Sequence, residues 1–168
     1  MNLPSSSRVR ELLHYDPESG AFIWKAKSSP IANNTRVGGP AGHVGPTGYL
    51  EIGLDNVLHK AHRLAWLYMT GEWPIDEIDH INTDRADNRW CNLREANRAQ
   101  NQRNASRRID NKTGFKGVGK RNNANTYIAR IRINGEQVYL GSRSTAEAAH
   151  ALYAAAAGQH FGEFARNG

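Results

Sequence analysis

The 168 residues carry a formal net charge of +6 and a pI of about 9.7, with 39% hydrophobic residues and a mean hydropathy of −0.69. A chain this long forms one ordinary domain or two small ones with modest cores, and it lacks the long apolar run or basic amphipathic helix that a membrane contact needs. Cys91 is the only cysteine, which excludes an intramolecular disulfide and any multi-cysteine zinc site and fits a reducing compartment.

The charge is unevenly placed. Residues 1–101 hold 11 Lys and Arg against 12 Asp and Glu, a net of −1, whereas residues 102–168 hold 11 against 4, a net of +7. A basic half beside a near-neutral half points to a polyanionic partner held by the C-terminal half, nucleic acid rather than membrane. The N-terminal MNLPSSSRVRELLHYD has no apolar signal-peptide core, so a cytoplasmic protein is expected.

In chain order, Ser5 to Ser7 offer caps for a short helix over 8–14, and Asp16-Pro17-Glu18-Ser19-Gly20 is a turn. Residues 21–25 read as a strand and 26–48 as an irregular loop. Residues 48–54 alternate as a second strand, which Asp55-Asn56 turns back into a partner over 57–61. A helix over 62–69 is stopped by Gly71 and Pro74, with Leu64, Leu67 and Met69 as core. Asn92 followed by Glu95 resembles a capping box for a helix from Leu93 to about Arg103. That helix would align Asn97, Asn101 and Asn104 on one face, either toward phosphate or toward solvent.

Residues 105–112 are a polar, basic linker. Beyond it, 115–118, 127–133 and 137–140 read as strands, with Asn134-Gly135 as a hairpin turn, and a helix runs from Ser144-Thr145 to about Ala157. Arg130 and Arg132 alternate with Ile131 and Ile133, so the cations share one sheet face and the isoleucines face the helix.

The chemistry concentrates in IDHINTDRADNRWCNLREANRAQNQRN, residues 78–104. Hydrolysing a phosphodiester needs a nucleophile, a base for its proton, and positive charge at the leaving oxygen. A hard cation keeps most of its waters, so one carboxylate and one amide oxygen suffice as protein ligands. Asp79 and Asn101 supply those oxygens. Neighbouring strand residues point to opposite faces, so Asp79 can hold the metal while His80, with an ordinary pKa of ~6.5, takes the proton of the attacking water. His62 either contacts DNA or packs beneath the site. His14, His43 and His59 read as surface residues, and Cys91 as a small buried hydrophobe.

With HRLAW at 62–66, IDHIN at 78–82, DNR at 87–89, NLR at 92–94 and Asn101, residues 57–104 resemble the HNH (ββα-metal) endonucleases, particularly the phage and homing type. The resemblance implies His80 as general base, Asp79 and Asn101 as metal ligands, and Asn92 as the middle residue whose side chain braces the loop. Asn101 stands where many members have His, which favours Mg²⁺ or Mn²⁺ over zinc. Thr83 stands at a place often held by Gly.

The second half has its own resemblance. GFKGV at 114–118, YIARIRI at 127–133, VYLGS at 138–142 and TAEAAHALYAAAA at 145–157 are similar to the AP2/ERF DNA-binding domain. That family lays a three-stranded sheet in the major groove, which implies DNA contacts by Lys116, Arg121, Arg130, Arg132, Gln137 and Tyr139. Gly119, Arg130 and Tyr139 depart from the residues usual there, so the likeness carries the fold and not the base preference. Linker residues Arg103, Arg107 and Arg108 either add phosphate contacts or are solvated.

The expected fold class is therefore α+β: an HNH domain over 1–104 (core motif 57–104), a linker over 105–112, and an AP2-like domain over 113–168 with a three-stranded antiparallel sheet and one helix. The expected function is a homing-type, metal-dependent endonuclease that nicks double-stranded DNA as a monomer, in the bacterial host of a phage or prophage. The rival readings are a catalytically inactive DNA-binding regulator and a structure-selective nuclease.

Overall fold

The computed structural model describes residues 3–27, 36–104, 111–121 and 125–165, with helices and strands intermixed. Its residues cluster into two compact units, Met1–Asn97 and Arg98–Gly168. Arg107 and Arg108 lie outside the described residues, as does the side chain of Arg103.

In the first unit, α1 (Ser6–Leu12) starts where the Ser5 hydroxyl accepts from the Arg8 amide and ends in the antiparallel pair β1 (Leu13–Tyr15) and β2 (Phe22–Trp24). The intervening turn is closed by Asp16, whose carboxylate accepts from the Glu18 amide and the Ser19 hydroxyl. β3 (His43–Val44), β4 (Leu50–Leu54) and β5 (Val57–Lys60) form one antiparallel sheet. β3 falls within the expected irregular loop, and two residues are too few for alternation to show. Asp55 and Asn56 both take positive φ, 48° and 65°, the geometry of a tight hairpin.

α2 (Ala61–Thr70) stops at Gly71, whose φ of 87° suits a left-handed cap donating to the Leu67 carbonyl. Val9, Leu12, Leu13, Tyr15, Phe22, Ile52, Leu54, Leu64 and Leu67 make the core. Met69 is 40% exposed and is not part of it, because it sits one residue from the helix end on the outward face.

The largest departure from expectation follows. Residues 93–96 are not the start of a helix. β7 (Leu93–Ala96) pairs antiparallel with β6 (Glu77–His80), in the register Asp79↔Arg94 and His80↔Leu93. Asn92 closes a 3-10 turn over Trp90–Asn92 instead of capping a helix. The Glu95 carboxylate accepts from the Ile75 amide across the ladder. The expected capping box is local chemistry, and pairing with β6 overrides it.

In the second unit, α3 (Arg98–Asn104) begins after Asn97, so Asn97, Asn101 and Asn104 do not share one helical stripe. β8 (Val118–Lys120), β9 (Tyr127–Ile133) and β10 (Glu136–Arg143) form an antiparallel sheet of order β10-β9-β8, and α4 (Ala146–Phe161) packs on it. β8 starts at the last residue of the expected 115–118 strand. Thr145 caps α4 by accepting from the Ala148 amide. Asn134 and Gly135 make the β9–β10 turn with φ of 51° and 87°. At Gly117, φ is +75° and any Cβ would run into the Tyr153 ring, so only glycine lets α4 approach this closely.

Candidate active site

Asp79 and His80 sit side by side on β6, 5% and 4% exposed. Burying a carboxylate requires a partner. Its cross-strand neighbour Arg94 provides one, donating from Nε at 2.9 Å and from a terminal nitrogen at 2.8 Å to Asp79 Oδ2.

Around His80 the loop 81–92 is stitched by amides and carboxylates. Asn92 accepts from the Asn82 amide at 2.9 Å, and its own Nδ2 donates to Asn82 Oδ1 at 3.0 Å and to the Asp87 carbonyl at 2.8 Å. Asn82 Nδ2 donates to Asp87 Oδ2 at 2.6 Å. Asp87 is also gripped by Arg89, and that hydrogen bond is the main reason its carboxyl is pulled down to about 2. The strand end is tied to the loop by the Ile81 amide donating to the Asn92 carbonyl.

Asn88 is 1% exposed and faces the imidazole, with Oδ1 3.5 Å from His80 Nε2. Its Nδ2 donates to the Ala86 carbonyl at 2.9 Å, which fixes the amide's orientation. Its backbone carbonyl accepts from the buried Tyr15 hydroxyl at 2.7 Å. Gly20 (φ +74°) passes so close to Asn88 that a Cβ would meet the 88–89 peptide. The β1–β2 hairpin thus buttresses the loop that faces His80. Burial holds the His80 pKa below the ordinary imidazole value, against the opposing pull of Asn88, Asp79, Asp87 and Asp84.

His62, on α2, packs edge-on to His80 with ring centroids 4.9 Å apart and planes at 83°. It is 4% exposed, its Nδ1 has no hydrogen-bond partner among the described residues, and burial drives its pKa down to about 3. Tyr49 completes the cluster, its ring 5.0 Å from that of His62 and 5.9 Å from that of His80.

Asp79, His80 and Asn92 are therefore brought together within the first unit. Asn101 lies on α3 in the second, partly buried, and Asn104 is 5% exposed. Asp79 and Asn101 are hard oxygen donors of the type Mg²⁺ or Mn²⁺ takes with a mostly aqueous shell, so the donor chemistry fits such an ion. Among the described residues no three His, Cys, Asp or Glu side chains converge as a metal-binding group.

In the second unit, Arg130 lies cross-strand from Tyr139 and Arg132 from Gln137. These four are exposed on strands whose alternate residues, Ala129 and Ile131, are buried. A groove is lined by Asn111, Lys120, Arg121, Arg130 and Gln137. Lys116 stands apart from these strands, before β8, with its carbonyl accepting from His150 Nδ1.

Two burial expectations are corrected, His59 as a surface residue and Cys91 as a buried one. His59 is 8% exposed, with its ring 6.0 Å from that of Trp73, because its place on β5 turns it inward. Cys91 is exposed, since the 3-10 turn presents it outward between Trp90 and Asn92. The roles of Asn88, Arg94 and Tyr49 were missed. DNR and NLR held the first two in plain view, but only the fold brings Tyr49 to them.

No curated protein and no solved structure matches the chain. Residues 59–103 match the family model described as HNH endonuclease, a span that contains His62, Asp79, His80, Asn88, Asn92 and Asn101. Over that span the chain is similar to the HNH endonucleases, which supports a nuclease whose substrate is DNA and whose family typically works with a divalent metal.

Proposed function

We propose that the protein is a metal-dependent DNA endonuclease of the homing type, which nicks duplex DNA with His80 as general base. The observation that carries this reading is the buried His80, held beside a buried carboxylate and faced by an oriented amide, inside the HNH-like segment. Asn88 Nδ2 is committed to the Ala86 carbonyl, so an acceptor oxygen faces His80 Nε2. The imidazole proton then belongs on Nε2, and Nδ1 keeps the lone pair that a base needs.

In the reaction, His80 takes a proton from water, and the resulting hydroxide attacks phosphorus in line with the 3′ oxygen. The P–O3′ bond breaks with its electron pair leaving on oxygen, which is then protonated. This gives 5′-phosphate and 3′-hydroxyl ends. Asp79 and Asn101 are the residues that would hold Mg²⁺ or Mn²⁺, with Asn104 in reserve; the bound ion supplies positive charge at the leaving oxygen. Asn92 keeps the loop closed around the base. Arg94 compensates the Asp79 charge when no cation does.

The second unit holds the duplex. Its exposed Arg130, Arg132, Gln137 and Tyr139, with Lys116 and Arg121, form an AP2-like reading face. Net positive charge over these residues gives the phosphate affinity.

The test is cleavage of supercoiled plasmid in Mg²⁺, Mn²⁺ or EDTA, wild type against His80→Ala. Metal-dependent nicking that disappears in the variant is expected. Binding with no cutting in any metal would instead make the protein a DNA-binding regulator on an inactive nuclease fold.

A further inference from the structure

We infer that Lys60, Arg85 and Tyr49 form a phosphate cradle beside His80, one that holds backbone phosphates of the strand being cut. This rests on the nuclease reading above and adds the part of the first unit that grips substrate. Lys60 Nζ lies 4.1 Å from the Tyr49 ring centroid, and the Arg85 guanidinium carbon lies 4.9 Å from the same point. Two cations thus converge on one ring, and that ring is itself in contact distance of the His80 and His62 rings.

Like charges gathered this closely repel, and a solvated lysine gains little from an aromatic face alone. A structural role would normally bring a carboxylate between them. None is there: among the described residues neither Lys60 nor Arg85 forms an ion pair. Glu51 is directly cross-strand from Lys60, but its carboxylate is packed against Gly45. Among the described residues Arg85 donates only to the Thr47 carbonyl, at 2.9 Å, which anchors one terminal nitrogen and leaves the guanidinium over the ring.

The two cations come from different elements, the end of β5 and the loop 81–92, and the first residue of α2 follows Lys60 directly. Lys60 therefore directly precedes the helix that carries His62, and Arg85 lies in the loop that follows His80. A dianionic or polyanionic ligand bridging them would relieve their repulsion and lie next to the base. The phosphates of one DNA strand, spaced 3.4 Å along the helix axis, are such a ligand. Tyr49 then acts as a positioning residue, a rigid platform that holds both cations close to a ring which itself neighbours His80.

The experiment measures binding of a short duplex oligonucleotide by the full chain across a salt series, in a His80→Ala background so that nothing is cut. Lys60→Gln, Arg85→Gln and their double variant are compared with an Arg10→Gln, Lys25→Gln control that removes the same charge elsewhere in the unit. Each cradle variant is expected to flatten the slope of log affinity against log salt by about one, and the double by about two, while the control leaves it unchanged. Tyr49→Leu, which keeps both charges, is expected to give part of that loss. With His80 intact, the cradle variants should raise KM far more than they lower kcat. An unchanged slope in the double variant, or an equal change in the control, overturns the cradle and leaves the nuclease reading standing. Failure of wild type to cut plasmid in any metal overturns the nuclease reading instead, and the slopes still decide whether the cradle binds phosphate.

Discussion

At the residue scale, the site is built from histidines kept neutral by burial. His62 is the clearest case. Its folded pKa of about 3 lies well below an ordinary imidazole value of ~6.5, and its Nδ1 is unpartnered. Below the ordinary value the unfolded chain takes up a proton that the folded chain refuses. The stability from this group is therefore complete above that pH, and it falls as pH drops toward the folded pKa, by about 1.4 kcal/mol per pH unit. Burial lowers the pKa of His59 and His80 in the same direction, so their losses add. Urea unfolding followed from about pH 7 to about pH 4 should show this slope, and His62→Gln should remove close to one proton's share. A slope indifferent to that substitution would mean His62 is protonated or solvated in the fold. Asn88 makes a second residue-scale prediction. Asn88→Ala should lower kcat by roughly 10–100-fold, as loss of an orienting partner does elsewhere, with DNA affinity unchanged. A matching fall in affinity would show that Asn88 serves substrate binding and not the base.

At the element scale, the β6–β7 ladder decides what sequence can and cannot disclose. Asp79, His80 and Asn92 stood out in the sequence by their chemistry and spacing, and the structure brings these three together within the first unit, whereas Asn101 lies on α3 in the second. The β4–β5 hairpin was legible because Asp55-Asn56 is a turn, and β9–β10 because Asn134-Gly135 is one. β7 was not legible. Four residues reading LREA are too short to show alternation, and Asn92 with Glu95 imitates a helix start. Only the partner strand, more than ten residues upstream, selects the extended form. Arg94 gains its role from that register alone, since it meets Asp79 only across the ladder. Arg94→Gln should destabilise the metal-free protein by about 3–5 kcal/mol, because it removes a charged partner of a buried carboxylate. It should also make Mg²⁺ raise the Tm more than in wild type, because one cation competing for Asp79 is then gone; equal Mg²⁺ shifts in both proteins would refute this. In the adjoining loop, Thr83 takes φ of 65°, a region hostile to β-branched residues. Thr83→Gly should stabilise by about 1 kcal/mol in thermal or urea unfolding, and a loss of stability would show that its side chain outweighs the strain.

At the scale of the whole molecule, we propose that cutting and holding fall to different compact units, and the charge follows that division. Residues 98–168 hold 12 Lys and Arg against 4 Asp and Glu, whereas residues 1–97 hold 10 against 12. On that proposal the long-range attraction of duplex DNA arises mainly from the second unit, and the first need only hold the strand near His80. The two functions should separate in kinetics. Arg130→Ala with Arg132→Ala removes two exposed cations whose strand neighbours Ala129 and Ile131 are buried in the sheet's own core, so the fold should survive. Duplex affinity should fall and its salt slope flatten by about two. KM for plasmid nicking should rise steeply with added salt, while kcat at saturating DNA stays near wild type. His80→Ala should do the reverse, abolishing turnover with affinity intact. If the arginine pair instead lowers kcat and leaves affinity alone, the β9 face acts on the chemistry, and the division of labour between the two units is wrong.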